Sequence, residues 1–194
     1  MIFSLVVICI FLVFRFCSNK PEQEKVVEQK PAPLSVSQNS GAFNQSFSEL
    51  LQSYYTLKNA FTNADISKVN SAAVQLMNDA DSLRISEIQG DTSGMIRETA
   101  RSFATNISGS AKTMTGEDKI EDKLREFNMI TDAMWSLTRT VKYDGQKVYY
   151  QFCPAALDNM GGYWLSDKID NANPYIRDKK SCSEVNDSLD YSRR

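Results

Sequence analysis

From Phe43 onward, apolar residues recur every three or four positions, in four successive blocks separated by polar breaks. The first block holds Phe43, Phe47, Leu50, Leu51, Tyr54, Leu57 and Phe61. That spacing lines one side of a helix and predicts an amphipathic α-helix. Ala64 and Asp65 interrupt the pattern, and the short carboxylate of Asp65 suits it to cap the next helix. The second block runs through Ile66, Val69, Ala73, Leu76, Met77, Ala80 and Leu83. Between Ser86 and Gly94, the runs Gln89-Gly90-Asp91 and Ser93-Gly94 give the strongest loop signal in the body of the chain. The third block, Ile96, Ala100, Phe103, Ala104, Ile107, Ala111 and Met114, has a small, alanine-rich face suited to close packing. After Thr115-Gly116-Glu117-Asp118 the fourth block carries Ile120, Leu124, Phe127, Ile130, Met134, Leu137 and Val141. Four such helices joined by short turns predict a mainly α fold, an antiparallel four-helix bundle. Met77, Met114 and Met134 read as core gap-fillers, and Glu121, Asp122 and Glu126 as a solvated face.

The period changes after the turn dipeptide Asp144-Gly145. Residues 147–153 are rich in β-formers and predict a short strand that Pro154 ends. Asn159-Met160-Gly161-Gly162, Tyr163-Trp164-Leu165-Ser166 and Asn173-Pro174-Tyr175 follow, leading to Cys182. Dense in aromatics and turn residues, this stretch predicts a short, irregular or β C-terminal cap carrying two cysteines. Residues 184–194 form a polar tail expected to fray.

The N-terminus has a different character. Residues 1–17 read as an apolar leader or membrane anchor: Met1 to Phe14 is interrupted only by Ser4 and Cys9, and Arg15 ends the run. It is short against the roughly 20 residues of a bilayer span and fits a signal-peptide core or a marginal anchor. Cys17 is the residue that a lipoprotein signal would modify, although Phe14, Arg15 and Phe16 are bulky or charged where small residues are preferred. Arg15, Lys20 and Lys25 follow the apolar run, so a positive-inside count alone leaves the body in the cytoplasm. Residues 18–42, with Pro21, Pro31 and Pro33 and no apolar period, read as a polar tether. Residues 43–183 are then the helical domain.

Composition narrows the function. Removing the leader and tether from 194 residues leaves roughly 150, enough for one domain with a single core. The formal charge of -2, with no basic face, argues against a nucleic-acid partner. The chain has no histidine, which excludes Ser-His-Asp and Cys-His catalysis and the Glu-x-x-His pattern of di-iron bundles. No nucleophile has an evident base, no glycine-rich phosphate loop occurs, and no acid pair stands at catalytic spacing. The expectation is a binding protein, not an enzyme. Cys9 and Cys17 fall in the leader, so Cys153 and Cys182 are the cysteine pair of the folded part.

The ordered run Tyr149-Tyr150-Gln151-Phe152-Cys153-Pro154-Ala155-Ala156, Gly161-Gly162-Tyr163-Trp164-Leu165-Ser166, Asn173-Pro174-Tyr175 and Cys182 resembles the domain-of-unknown-function family numbered 3347. The resemblance extends back through Phe127 to Tyr143 and more faintly over about residues 45–183. It implies an exported bacterial domain, also found at the C-terminus of efflux-pump adaptor proteins, linked by similarity to copper and other soft heavy metals. The implied location is the periplasm or cell envelope, tethered to the membrane through the N-terminus, with a metal-efflux or other envelope protein as partner. The resemblance implies Cys153 and Cys182 as metal ligands, framed by Pro154, Gly161, Gly162, Trp164, Leu165, Ser166, Asn173, Pro174 and Tyr175, and Met160 is a candidate third ligand because it is the methionine near them in sequence. The family's usual Cys-Pro-Met-Ala run departs here at Ala155, and Lys179-Lys180-Ser181 stands where a second methionine is usual.

Two readings of the cap stay open. Thiolates and a thioether suit soft Cu(I), whereas in an oxidising compartment two cysteines that meet pair as a disulfide, leaving a structural or protein-interaction domain without metal. Trp164 and Tyr175 are in the first reading an aromatic wall beside a metal, and in the second a hydrophobic plug docking the cap on the bundle.

Overall fold

The computed structural model describes residues 39–176 and 182–192. The leader, Cys17, nearly all of the tether and Lys179-Lys180-Ser181 lie outside the described residues. Each apolar block forms a helix: α1 (Gly41–Thr62), α2 (Ile66–Asp81), α3 (Met95–Gly116) and α4 (Ile120–Val141). α1 starts at Gly41, so residues 41–42, assigned to the tether, already belong to its first turn. The Ser40 side chain caps it by accepting from the Phe43 N–H at 3.1 Å. Asp65 caps α2 as expected, accepting from the Lys68 N–H at 3.1 Å. Lys142, with φ of 49°, turns the chain out of α4.

Each helix packs against the next in sequence, and the short links fold the chain back on itself. The small face of α3 does what its composition suggests: Ala100, Ala104, Ile107, Ala111 and Met114 are buried between α2 and α4. Phe103 and Met77 are only half-buried, and Ile66 is 40 % exposed, so the inward stripe is narrower than the pattern implies. α1 and α4 meet through long side chains, Tyr54 and Phe61 both packing their rings on Phe127.

Two lysines fall on the inward stripe. Lys123 is buried, and its ammonium donates to the Met114 carbonyl at 2.7 Å and to Asn70 Oδ1 at 2.9 Å. A cation there satisfies the carbonyl end of α3, where the helix dipole is negative. Lys58 is the other, and it belongs to the cap.

The cap is more regular than its composition suggests. β1 (Val148–Cys153), β2 (Gly162–Ser166) and β3 (Glu184–Leu189) form an antiparallel sheet in the order β2-β1-β3. The tail expected to fray from residue 184 is therefore strand to residue 189. Its sequence, Glu-Val-Asn-Asp-Ser-Leu, lacks apolar alternation because pairing with β1, rather than burial, makes it a strand.

β2 is tied to the helices along its outer edge. The Tyr163 N–H donates to Asn128 Oδ1 at 2.9 Å, and the Leu165 N–H donates to the Tyr54 hydroxyl at 3.0 Å. That hydroxyl also bonds Thr131 Oγ1 at 2.7 Å, making Tyr54 the joint between α1, α4 and β2.

Candidate functional site

The sequence motif gathers around one feature, the end of β1. Cys153 is fully buried there and forms a disulfide with Cys182, their Cα atoms 5.1 Å apart. Asn173 secures the far side: its Nδ2 donates to the Cys182 carbonyl at 2.7 Å while its Oδ1 accepts from the Tyr175 N–H at 2.8 Å. The Asn-Pro-Tyr run is thus a side-chain-closed turn that brings residues 173–175 against the cysteine bridge. Tyr175 then reaches inward, donating to the Tyr163 carbonyl at 2.7 Å and packing its ring near Trp164 and Phe127. Burial pushes its phenol well above the ordinary tyrosine range.

The paired glycines are explained by close approach. Gly161 has a φ of 87°, and a Cβ there would come within 2.6 Å of the Phe152 ring. A Cβ on Gly162 would come within 2.8 Å of both the Ala156 methyl and the Tyr175 ring. Before them, Leu157, Asp158 and Asn159 have φ of 50°, 59° and 67°, three consecutive non-glycine residues in the left-handed region. Each costs about 1–2 kcal/mol relative to a right-handed conformation. The Gly161 N–H bond to the Ala156 carbonyl at 3.0 Å and the Arg125–Asp158 ion pair at 3.7 Å hold the turn.

This turn forms one wall of a cleft of about 410 Å³. Leu124, Arg125 and Glu121 of α4 form the opposite wall, Ala155 to Asp158 and Pro174 to Ile176 the cap side, and Phe61 contributes from the end of α1. Most lining residues are apolar in type, but with Glu121, Arg125 and Asp158 among them the surface they present to the cleft is more polar than apolar. Ala155, the position where the related pattern has methionine, contributes only a methyl group to it.

The remaining motif residues have structural places. Trp164, Leu165 and Ser166 are all fully buried in β2. Trp164 is both plug and neighbour of the bridge, since it pairs in register with Gln151, two residues before Cys153. Met160, by contrast, is 70 % exposed. The copper that the resemblance implies does not fit the oxidised chain: the disulfide leaves neither cysteine as a thiolate, Met160 stands out in solvent, and Ala155 offers no donor. Among the described residues, no group of three or more His, Cys, Asp or Glu side chains is placed to hold an ion. Nor is any helix among them long and apolar enough to cross a membrane.

Pattern reading missed several residues that build the cap. Lys58 is 4 % exposed, and its ammonium donates to Ser166 Oγ at 3.4 Å. Burial lowers its pKa, opposed by the carboxylates of Asp170 and Asp167. A hydroxyl beside an amine of lowered basicity can serve acyl transfer, yet both groups here are buried and neither lines the cleft. Position 58 lies four residues after Tyr54 and three before Phe61, so the helical spacing itself placed it inward. Trp135, Tyr150, Tyr163 and Phe152 form a continuous stack with ring centroids 4.5–4.7 Å apart. The Tyr150 hydroxyl donates to Asp132 at 2.9 Å, and burial raises the Asp132 carboxyl despite that bond.

Residues 50–145 match the family described as "Protein of unknown function (DUF3347)". The match spans the helical bundle from the middle of α1 to just past α4 and stops short of the cysteine cap. It supports assigning the helical body to that family. No curated protein and no solved structure matches the chain.

Proposed function

We propose that the chain is a membrane-tethered, envelope-exposed, non-enzymatic binding domain whose cap is closed by the Cys153–Cys182 disulfide and whose ligand surface is the cleft beside it. The disulfide carries this reading, because such bonds persist in oxidising compartments and are rare in reducing ones. The apolar leader and proline-bearing tether ahead of the bundle support the location. The cleft supports binding: it is concave, and one wall is built of three consecutive left-handed residues, a conformation that clusters at ligand sites. In the full chain, Cys153 and Cys182 should escape alkylation until a reductant is added, and a reporter active only in the cytoplasm, fused after Arg194, should be silent. Free alkylation of both cysteines without reductant would remove the basis of the reading.

A second reading rests on the same adjacency. Once reduced, two sulfurs that close suit low-coordinate Cu(I). The reduced chain should then take up Cu(I) in a competition assay, and Cys153→Ser or Cys182→Ser should each abolish uptake. Restoring methionine at Ala155 should strengthen binding, because that position lines the adjoining cleft. Equal uptake by the reduced, oxidised and Cys→Ser forms would refute a copper site at the cap.

A further inference from the structure

Between the sheet and the residues of the β2–β3 connection that bond Gln151 lie polar groups whose bonding capacity the described residues do not fill. Trp164 is fully buried and its Nε1–H has no acceptor among the described residues; Gln151 is 1 % exposed and its Oε1 has no donor among them. The two residues are register partners on β1 and β2, so their side chains rise from the same face of the sheet. Directly opposed Cβ atoms in such pairs stand about 4.5–5.5 Å apart. Rotating the Gln151 amide cannot resolve the shortfall, because its Nε2 already donates to the Asp170 carbonyl at 2.7 Å and to Ser183 Oγ at 2.9 Å. An indole N–H can only donate and a carboxamide oxygen can only accept. An unfilled donor and an unfilled acceptor therefore face the same layer.

We propose that an ordered internal water molecule is bound in this layer, accepting from Trp164 Nε1–H and donating to Gln151 Oε1, as a fixed part of the cap. Water can accept and donate at once, and buried waters commonly make about three such bonds. The Lys58 ammonium is a further donor on this face: it bonds Ser166, which lies two residues beyond Trp164 on β2. A small anion is disfavoured, because the Asp167 and Asp170 carboxylates already act on that ammonium. The site also touches the disulfide, since Gln151 lies two residues before Cys153 and its amide bonds Ser183, the neighbour of Cys182.

The test is an NMR experiment on the oxidised full chain, in detergent micelles, with 15N-labelled tryptophan. The two indole signals are assigned with Trp135→Phe. The Trp164 indole proton should show cross-peaks to the water resonance with opposite signs in NOE and ROE spectra, which marks a bound water and not proton exchange. These peaks should weaken at least several-fold when the disulfide is reduced and the β2–β3 connection is released from β1. An indole proton with no water cross-peak, as expected for a direct bond to Gln151 or a dry layer, would overturn the proposal.

Discussion

Replacing Tyr54 by Phe tests how the cap is attached, because that single hydroxyl joins three elements. The ring contacts survive the change: Phe keeps the stack on Phe127 at 5.4 Å and the edge contact with Tyr55 at 5.9 Å. What is lost is the bond to Thr131 Oγ1 and the acceptor for the Leu165 N–H. Thr131 tolerates the loss, since its hydroxyl also donates to the Phe127 carbonyl at 2.9 Å. Leu165 does not, because it is fully buried and the Tyr54 hydroxyl is the acceptor of its amide. Stranding a buried backbone N–H costs about 1–3 kcal/mol, and a net side-chain bond contributes about 1 kcal/mol. The expected destabilisation is therefore about 2–4 kcal/mol in urea denaturation, with strong loss of hydrogen-exchange protection at the Leu165 amide. Thr131→Val should cost less, about 1 kcal/mol, because it leaves Leu165 bonded. A change below about 0.5 kcal/mol for Tyr54→Phe, or unaltered protection at Leu165, would refute the idea that this hydroxyl fastens the sheet to the bundle.

Three further outcomes follow from the same packing. Phe127→Ala removes a fully buried ring that touches Tyr54, Phe61 and Tyr175, and should cost about 3–5 kcal/mol by chemical denaturation. Reducing the disulfide, which closes a loop with a sequence separation of 29, should lower stability by about 3.5 kcal/mol in the chain-entropy model, measured with and without reductant. Burial raises the phenols of Tyr54, Tyr55, Tyr150 and Tyr175, so above about pH 10 the unfolded chain sheds protons that the folded chain keeps. Their stabilisation is complete below that pH and should be lost as pH rises, by about 1.4 kcal/mol per pH unit for each tyrosine. Denaturation at stepped alkaline pH checks this, and Tyr55→Phe should lessen the slope.

The helices were legible because their burial is periodic: Phe43, Phe47, Leu50, Tyr54, Leu57 and Phe61 recur at helical intervals and all are buried. Lys58 and Lys123 stand on the same stripes yet carry charge, so their burial depends on partners from other elements that periodicity does not encode. The cap was legible as a set of motifs but not as a sheet. β3 is exposed over its first four residues, and only its pairing with β1 defines it. Met160 is near the cysteines in sequence, but the left-handed turn at 157–159 leaves it in solvent. Asn128 gave no signal as a single polar residue in a helix, yet its Oδ1 accepts from both Tyr163 and Tyr175.

The joint at Tyr54 also orders events in time. Its hydroxyl waits for an amide 111 residues further along the chain, and the Lys58 amine waits for a hydroxyl 108 residues away. The helices, each packed on its neighbour in sequence, can associate as the chain emerges, because their contacts close short loops. Until β2 arrives, that nascent bundle carries a phenol and an amine in what will become its interior, both still served by water. Drying of this end of the core is thus expected to wait for the Trp-Leu-Ser strand. A chain cut before Gly162 would keep its helices but leave these groups wet, and should behave as a loosely packed bundle instead of a shortened native one.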